Sequence, residues 1–325
     1  MNSERFRRIL VVDDEPSIVN AVRREVCTPP LGRYSYDVEG FTDPAQALER
    51  ARSQSFDAVI CDYRMPGMTG IEFLKALTAI QPDCARLVLS GQTDMAGLVA
   101  MVNETHIYRF IPKPWHDYYL KSSLAQAIEF AGALRESRRL AGLVREHGIA
   151  VPPLVPDAGD EILIVDDDPA VASSLARLLS SHTETDDLYA AIRAEIGHRP
   201  GGRLDEAHSR IATARSGREA LKAAAARTFS CIVADFRMPD INGIELLQQF
   251  ADIQPDCARI LISGHVAQDD LVAAVDAAHI FGFIAKPWQD YEVKSCVAQA
   301  LASRRVALEN RMLADMVRRA GGTSA

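Results

Sequence analysis

The sequence lacks the features that define several common classes of protein. Only 6% of its 325 residues are aromatic, and no apolar run is long enough to cross a membrane. The net charge is −8, so the chain has no general electrostatic attraction to nucleic acid or to an anionic membrane. Its first residues, MNSERFRRIL, contain no long apolar stretch of the kind found in signal peptides. We therefore expect a cytoplasmic protein that associates with neither membranes nor nucleic acid.

The cysteines also lack a pattern that would indicate chemistry. None belongs to a CxxC motif, and no histidine cluster stands near them at the spacing of metal ligands. We expect reduced thiols that mostly pack in the core, as is usual for cytosolic proteins. The six are Cys27, Cys61, Cys84, Cys231, Cys257 and Cys296.

The sequence contains a long internal repeat. DYRMPGMTGIEFL, at 62–74, returns as DFRMPDINGIELL at 235–247, and IQPDCAR, ending at Arg86, returns unchanged and ends at Arg259. Each matched pair is 173 positions apart, as Asp62 is from Asp235. Solenoid repeats are far shorter, whereas this period has the size of a whole domain. The chain is therefore predicted to be a tandem duplication of one domain.

The order of elements within each copy predicts the fold. In the first copy, short apolar runs rich in β-branched residues alternate with amphipathic stretches, which favours a parallel sheet covered by helices on both faces. The predicted fold class is α/β, with five strands and five helices in each copy. In the first copy the strands are predicted at 8–14, 36–41, 57–62, 85–91 and 107–113, and the helices near 16–26, from 44, from 70, at 94–103 and from 117. The second copy repeats this order from residue 161.

The two copies differ by an insert and end in similar helical extensions. The insert, about 182–207, lies between the first helix of the second copy and its strand RIATA. It is either a neutral surface insertion or a partner-binding element. The predicted domains are 6–135 and 160–303, with a helical extension and proline-rich linker at 136–159 and a helical tail at 304–325.

The extensions share an apolar stripe, because LAGLVR in the first matches LADMVR in the second. This stripe is either a dimer seam or a face that folds back on its own domain. Its members are Leu134, Leu140, Leu143 and Val144 in the first extension, and Leu308, Leu313, Met316 and Val317 in the second.

Polar residues follow the predicted strands at the edge where function collects in an open parallel sheet. Each copy places two acids after its first strand, one after the third, a serine after the fourth and a lysine after the fifth. Three carboxylates at one edge repel one another unless a lysine or a hard cation such as Mg²⁺ neutralises them. The two sets are Asp13, Asp14, Asp62, Ser90 and Lys113, and Asp166, Asp167, Asp235, Ser263 and Lys286.

These motifs resemble a known family. VVDDEP and IVDDDP, the D-[YF]-RMP-x₃-GIE segments, LSG and ISG, and KPW are similar to those of response-regulator receiver domains in bacterial two-component signalling. The resemblance extends over most of the chain. It implies two flavodoxin-like (βα)₅ receiver domains, each accepting a phosphoryl group from a sensor histidine kinase or a phosphotransfer protein.

The resemblance also implies a role for each residue of the site. Asp62 and Asp235 would be the phosphoacceptors. Mg²⁺ would be bound by the acceptor, by the acid pair after the first strand and by a backbone carbonyl. In the first copy the acid pair is Asp13 and Asp14 and the carbonyl is that of Arg64. In the second copy the acid pair is Asp166 and Asp167 and the carbonyl is that of Arg237. Lys113 and Lys286 would hold a phosphoryl oxygen, Ser90 and Ser263 would bond to it after transfer, and Phe110 and Phe283 would be switch aromatics. Phe110 could equally be an ordinary core residue.

The sequence does not indicate an output domain. It has no HD-GYP, GGDEF or Walker motif and no convincing helix-turn-helix. We therefore expect a non-enzymatic signalling protein that assists only its own phosphoryl transfer and hydrolysis, and that acts through a homodimer or a downstream partner protein. The alternatives are a DNA-binding transcription regulator, whose only basic stretches would lie near Arg138 and Arg304, and a phosphate sink with no output.

Overall fold

The computed structural model describes residues 5–28, 34–91, 107–115, 117–149, 160–181, 210–264 and 280–321. The helix predicted at 94–103, the proline-rich part of the linker and the insert at 182–207 lie outside these ranges. The chain divides into two compact units, Met1–Arg135 and Glu136–Ala325. None of the described helices is long and apolar enough to span a membrane.

The first unit contains a five-stranded parallel sheet. Its strands are β1 (Arg5–Val12), β2 (Tyr34–Phe41), β3 (Ala58–Asp62), β4 (Ala85–Ser90) and β5 (Arg109–Pro112), in the order β2-β1-β3-β4-β5. The central strands β3 and β4 are buried along their whole length, as expected when helices cover both faces of a sheet. The predicted parallel α/β fold is therefore confirmed for this unit.

A proline or a capping side chain marks the start of three helices of the first unit. The helices are α1 (Pro16–Cys27), α2 (Pro44–Ser53), α3 (Gly70–Ile80) and α4 (Asp117–Glu146), of which α4 continues past Arg135 into the second unit. Proline stands at the start of α1 and α2, where its missing N–H costs no hydrogen bond. Thr69 and Glu72 form a reciprocal capping box at the start of α3.

The first strand ends earlier than the sequence predicts. We expected it to continue to residue 14, but β1 ends at Val12. The reason is local, because the Asp13 carboxylate accepts a hydrogen bond from the Glu15 N–H at 3.0 Å and so turns the chain towards α1. This turn places Asp13 and Asp14 beyond the end of the strand.

The second unit repeats the architecture. Its strands are β6 (Glu161–Val165), β7 (Arg210–Ala214), β8 (Cys231–Asp235), β9 (Ala258–Ser263) and β10 (Gly282–Ala285), in the order β10-β9-β8-β6-β7. Its helices are α5 (Pro169–Ser180), α6 (Gly217–Ala226), α7 (Gly243–Ile253) and α8 (Asp290–Gly321). Read from the other end, the strand order is that of the first unit. The second predicted α/β sheet is confirmed as well.

Most cysteines belong to the cores, as predicted. Five of the six are buried, Cys27 is exposed, and no disulfide joins any of them. Burial raises the pKa of Cys84, and that of Cys257 too, to about 12. These thiols therefore remain protonated and act as small apolar side chains.

The repeated glutamine of IQPDCAR has a structural role that the sequence alone did not reveal. The Gln81 carbonyl oxygen accepts from the Phe56 N–H at 2.8 Å, and its amide donates to the carbonyls of Ala51 and Gln54 at 2.6 and 2.7 Å. Gln254 makes the same three bonds in the second unit. Each glutamine thus joins the end of one helix to the beginning of the central strand, at the end opposite Asp62 or Asp235.

The apolar stripes of the two extensions pack against each other within the second unit, which begins at Glu136. Leu140, Val144 and Leu313 are buried in one cluster, with Met316 and Val317 partly buried against it. Leu140 and Leu313 are matched residues of the repeat. The structure therefore differs from both expected alternatives for these five residues, because they pack against the other extension of the same chain.

The glutamine contacts predict a stability effect confined to one unit. Gln81→Ala removes three hydrogen bonds to buried or half-buried backbone, and should lower the free energy of unfolding of the first unit by about 2 to 4 kcal/mol. Urea denaturation followed by tryptophan fluorescence in a Trp288→Phe background reports on this unit through Trp115. Gln46→Ala, on the exposed face of α2, is the control, with a change below about 0.5 kcal/mol. An unchanged midpoint for Gln81→Ala would contradict the role assigned to this glutamine.

Candidate functional site

The first sheet brings two acids and a lysine together at the carboxyl ends of its strands. Asp13 follows β1, Asp62 ends β3, and Lys113 follows β5. The Lys113 Nζ lies 2.7 Å from Asp13 Oδ2 and 2.5 Å from Asp62 Oδ1. Both carboxylates are buried. The ammonium group therefore bridges two acids that would otherwise repel each other in a poorly solvated place.

The second sheet builds the same arrangement. The Lys286 Nζ lies 3.0 Å from Asp166 Oδ2 and 2.5 Å from Asp235 Oδ1. Asp166 follows β6 and Asp235 ends β8, so these residues occupy the same places in the sheet as their counterparts. The two copies thus keep the geometry of the cluster as well as its residues.

The remaining carboxylate oxygens are held by the backbone. Asp62 Oδ2 accepts from the Arg64 N–H at 2.8 Å, and Asp235 Oδ2 accepts from the Arg237 N–H at 2.7 Å. Each of these carboxylates is therefore held on one oxygen by a lysine and on the other by an amide. Such a carboxylate has a fixed orientation before any ligand arrives, which is the condition for fast group transfer.

The third acid of each set lies apart from the lysine bridge. Asp14 and Asp167 are exposed, each adjacent in sequence to the buried acid. Within the described residues, no three His, Cys, Asp or Glu side chains are already arranged to hold a metal ion. That all three acids bind one metal ion stays a prediction. Two buried acids meet around the lysine because its charge offsets their repulsion, while the third remains in contact with solvent.

Burial and the lysine change the pKa of the buried acids in opposite directions. Burial raises the pKa of Asp13 and of Asp166 above the ordinary aspartate value, and the hydrogen bond from the lysine offsets only part of this rise. For Lys113 and Lys286, burial lowers the pKa, but the hydrogen bonds to both carboxylates more than compensate and leave the pKa above that of an ordinary lysine. The lysines therefore carry their positive charge at neutral pH.

Each serine is joined to the lysine of its unit by a hydrogen bond between their backbones. Ser90 ends β4 and is buried, and its carbonyl accepts from the Lys113 N–H at 2.8 Å. Its hydroxyl donates to the carbonyl of Gly91 at 3.1 Å. Ser263 is buried at the end of β9, and its carbonyl accepts from the Lys286 N–H at 2.8 Å. Each serine is thus adjacent to the cluster.

The two predicted switch aromatics are half-buried. Phe110 lies on β5 and Phe283 on β10, the strands that lead into the lysines. Phe283 packs against the apolar cluster on one face of its sheet. Neither ring is enclosed as completely as Phe73 or Phe250, which are fully buried core residues.

Two glycines near the site were not singled out by sequence reasoning. A Cβ on Gly70 would lie 2.2 Å from the carbonyl oxygen of Asp62, and a Cβ on Gly243 would lie 2.3 Å from that of Asp235. Any larger residue would therefore push α3 or α7 away from the strand end. The signal was present in the repeated GIE motif, where the same glycine follows each aspartate at the same spacing.

The comparisons with known proteins agree with this geometry. A family model described as the response regulator receiver domain matches residues 9–125 and 201–298. The second match begins beyond β6 and α5. Asp166 therefore lies outside it, although the structure places Asp166 beside Lys286 at 3.0 Å, as Asp13 lies beside Lys113.

Curated relatives match part of the chain. The hydrogenase transcriptional regulatory protein HoxA of Cupriavidus necator is 37% identical over 138 residues, which is 42% of this chain and 27% of that protein. The transcriptional regulatory protein FixJ of Bradyrhizobium diazoefficiens is 30% identical over 133 residues, covering 41% of this chain and 62% of FixJ. The chain thus covers less than two thirds of the length of either relative.

The matches among solved structures include the signal receiver domain of an HD domain-containing protein from Pseudomonas fluorescens Pf-5. It is 22% identical and covers 45% of this chain and 98% of that chain, with a TM-score of 0.36. Since the family model covers more than half of the residues and falls on both units, the chain belongs to the response regulator receiver domain family.

Proposed function

We propose that both units are working phosphoacceptor domains, and that Asp62 and Asp235 each take a phosphoryl group from a histidine kinase or a phosphotransfer protein. One observation carries this proposal. In both units a lysine ammonium lies 2.5 Å from the aspartate that ends the central strand. A duplicated copy kept only for structural support would have no need to retain this buried ion pair, since such pairs contribute little net stability.

The chemistry follows from how each carboxylate is held. A carboxylate oxygen of Asp62 or Asp235 attacks the phosphorus, the new O–P bond forms, and the P–N bond to the donor histidine breaks with its electron pair going to the imidazole. The lysine then stabilises charge on the transferred phosphoryl oxygens. Catalysis of this kind depends on position and charge more than on covalent help from the protein.

The site fits a divalent cation. Two carboxylates and one ammonium leave a net negative charge, and Asp14 or Asp167 adds to it. Carboxylate and carbonyl oxygens are the ligands that Mg²⁺ prefers. Asp13, Asp14, Asp62 and the Arg64 carbonyl would hold it in the first unit, and Asp166, Asp167, Asp235 and the Arg237 carbonyl in the second. When bound, Mg²⁺ supplies further neutralisation of the phosphoryl oxygens.

The response to phosphorylation would pass through the neighbouring strands. A phosphoryl group on Asp62 offers Ser90 a new hydrogen-bond acceptor, and Phe110 on the next strand is half-buried. Ser263 and Phe283 are placed likewise. The output is then a change in protein association, because phosphorylation biases a surface between two arrangements that differ by a few kcal/mol. This signalling role in the cytoplasm requires no separate enzymatic activity.

The alternative of DNA binding has less support. HoxA and FixJ are named as transcriptional regulators, but the match covers only 27% of HoxA. In the second extension, the Arg304 guanidinium donates to the carbonyl of Asp256 at 3.1 Å, and Arg311 pairs with the Asp256 carboxylate. This basic stretch is therefore engaged with its own unit.

The acceptors are tested by counting phosphoryl groups. With Mg²⁺ and acetyl phosphate, we expect two per chain in wild type, one in Asp62→Asn or Asp235→Asn, and none in the double variant, since an amide is a poor nucleophile. Intact mass spectrometry gives the count, and Asp37→Asn, a change at an exposed acid, is the control that keeps two. Labelling of the double variant at the wild-type level would refute the assignment.

The metal site predicts separable effects on cation binding and stability. Asp14→Ala should weaken Mg²⁺ binding by the first unit at least about tenfold, because it removes one charged ligand. The free energy of unfolding should change by less than about 0.5 kcal/mol, because Asp14 is exposed. Calorimetric titration and urea denaturation measure the two quantities, and Asp167→Ala should have the same effects on the second unit. Unaltered Mg²⁺ affinity would rule out this ligand set.

The output is tested at the paired extensions. Leu313→Asp places a charge in the buried cluster with Leu140 and Val144, and should alter phosphorylation-dependent association while leaving two phosphoryl groups per chain. Light scattering of phosphorylated and unphosphorylated protein measures this association. Ala307→Asp, the same change at an exposed position of α8, is the control. If phosphorylation changes association in neither wild type nor variant, the chain is a phosphate sink.

A further inference from the structure

The two acceptor sites share so many contacts that the places where they differ are informative. One difference lies in the segment between the acceptor strand and the next helix, which is 63–69 in the first unit and 236–242 in the second. Asp240 stands where the first unit has Gly67, and Gly217 stands where it has Pro44. Both changes affect the same contact.

Asp240 ties this segment to the beginning of α6. Its Oδ1 accepts from the Gly217 N–H at 3.2 Å, and its Oδ2 accepts from the Arg218 N–H at 2.9 Å. These are the first two N–H groups of the helix, which have no partners inside it and lie at the positive end of the helix dipole. The N-cap Ser216 accepts from a different amide, that of Glu219. Asp240 therefore adds a contact from outside the helix.

The carboxylate is suited to this contact. Burial would raise the pKa of Asp240, but the backbone N–H groups of Arg218, Ile241, Gly217 and Asp240 itself outweigh that effect and lower it. The side chain is therefore an anion at neutral pH, and hydrogen bonds to an ionised acceptor are stronger than those between neutral groups.

Gly217 makes the contact possible in two ways. It supplies an N–H, and a Cβ at this position would lie 2.3 Å from Ile241 Cγ1, so glycine allows the segment to approach the helix closely. In the first unit, Pro44 has no N–H to donate. Gly67, which stands where the second unit has Asp240, has no side chain to accept a hydrogen bond. Its φ is +79°, and a Cβ added to it would have no atom within 4 Å. The first unit therefore lacks this connection.

The tethered segment carries a residue of the acceptor site. The Arg237 N–H donates to Asp235 Oδ2 at 2.7 Å, and the segment ends where the Gly243 N–H donates to the Phe236 carbonyl at 2.9 Å. Fixing Asp240 to α6 restricts the backbone between these two points. The carbonyl of Arg237 belongs to that backbone.

We propose that Asp240 is a positioning residue of the second acceptor site, which holds segment 236–242 so that the Arg237 carbonyl is oriented for the cation. Consequently, the Asp235 site binds Mg²⁺ more tightly than the Asp62 site, because less backbone freedom is lost on binding. This inference rests on the proposed function, in which both sites bind Mg²⁺ and accept phosphoryl groups.

The test compares Asp240→Ala and Asp240→Asn in the full chain, with Asp14→Ala added so that Mg²⁺ titration reports on the second site. We expect Asp240→Ala to weaken Mg²⁺ binding about fivefold. Asp240→Asn should retain most of the affinity, because its amide oxygen can still accept from the helix. Hydrogen exchange should show 236–242 more protected than 63–69 in wild type, with the protection lost in Asp240→Ala.

A matched control comes from the same unit. Asp252→Ala removes an exposed carboxylate of α7 that is outside segment 236–242, and should leave Mg²⁺ binding by the second site unchanged in the same Asp14→Ala background. The positioning role would be overturned if Asp240→Ala bound Mg²⁺ as tightly as the parent chain that keeps Asp240. It would also be overturned if Asp240→Ala and Asp240→Asn lost the same affinity. Either result would leave phosphoryl uptake by Asp235 intact. Failure of wild type to bind Mg²⁺ or to phosphorylate Asp235 would overturn the proposed function and this inference together.

Discussion

Each sheet ends in two buried carboxylates that share one ammonium group, and the site depends on this balance of charge. A buried carboxylate is costly unless it is paired and hydrogen-bonded. Here the lysine after the last strand satisfies one oxygen of each acid, while backbone amides two residues further along satisfy the other. The parallel sheet makes this arrangement possible, because it brings the carboxyl ends of neighbouring strands to one edge.

The residues kept between the copies fall into two groups with different physical purposes. The acids and lysines form the charged cluster, whereas Gln81 and Gly70 hold the scaffold around it. Gln81 joins α2 to the amino end of the acceptor strand, and Gly70 lets α3 begin directly against the carboxyl end. The acceptor strand is thus held at both ends by residues that are the same in both copies.

The differences between the copies concern how firmly the site is supported. The second unit ties its acceptor segment to α6 through Asp240, while the first has glycine and proline at the matching positions. The extensions show a related principle, since their matched leucines cover each other within the second unit. A duplicated chain can therefore bury apolar residues of one extension against the matching residues of the other. It can also keep two similar sites that differ in a supporting contact.

The sequence by itself determined the fold class, the duplication and the candidate acceptors, because strand periodicity and repeated polar residues are local signals. Tertiary structure decided three further matters. It gave Asp13 and Asp14 different surroundings. Asp13 is buried beside Lys113, whose ammonium group offsets its charge, whereas Asp14 is exposed to solvent. It showed what covers the apolar stripes, and it joined Asp240 to Gly217. These contacts link residues far apart in the chain, and their partners are set by packing, which no local pattern records.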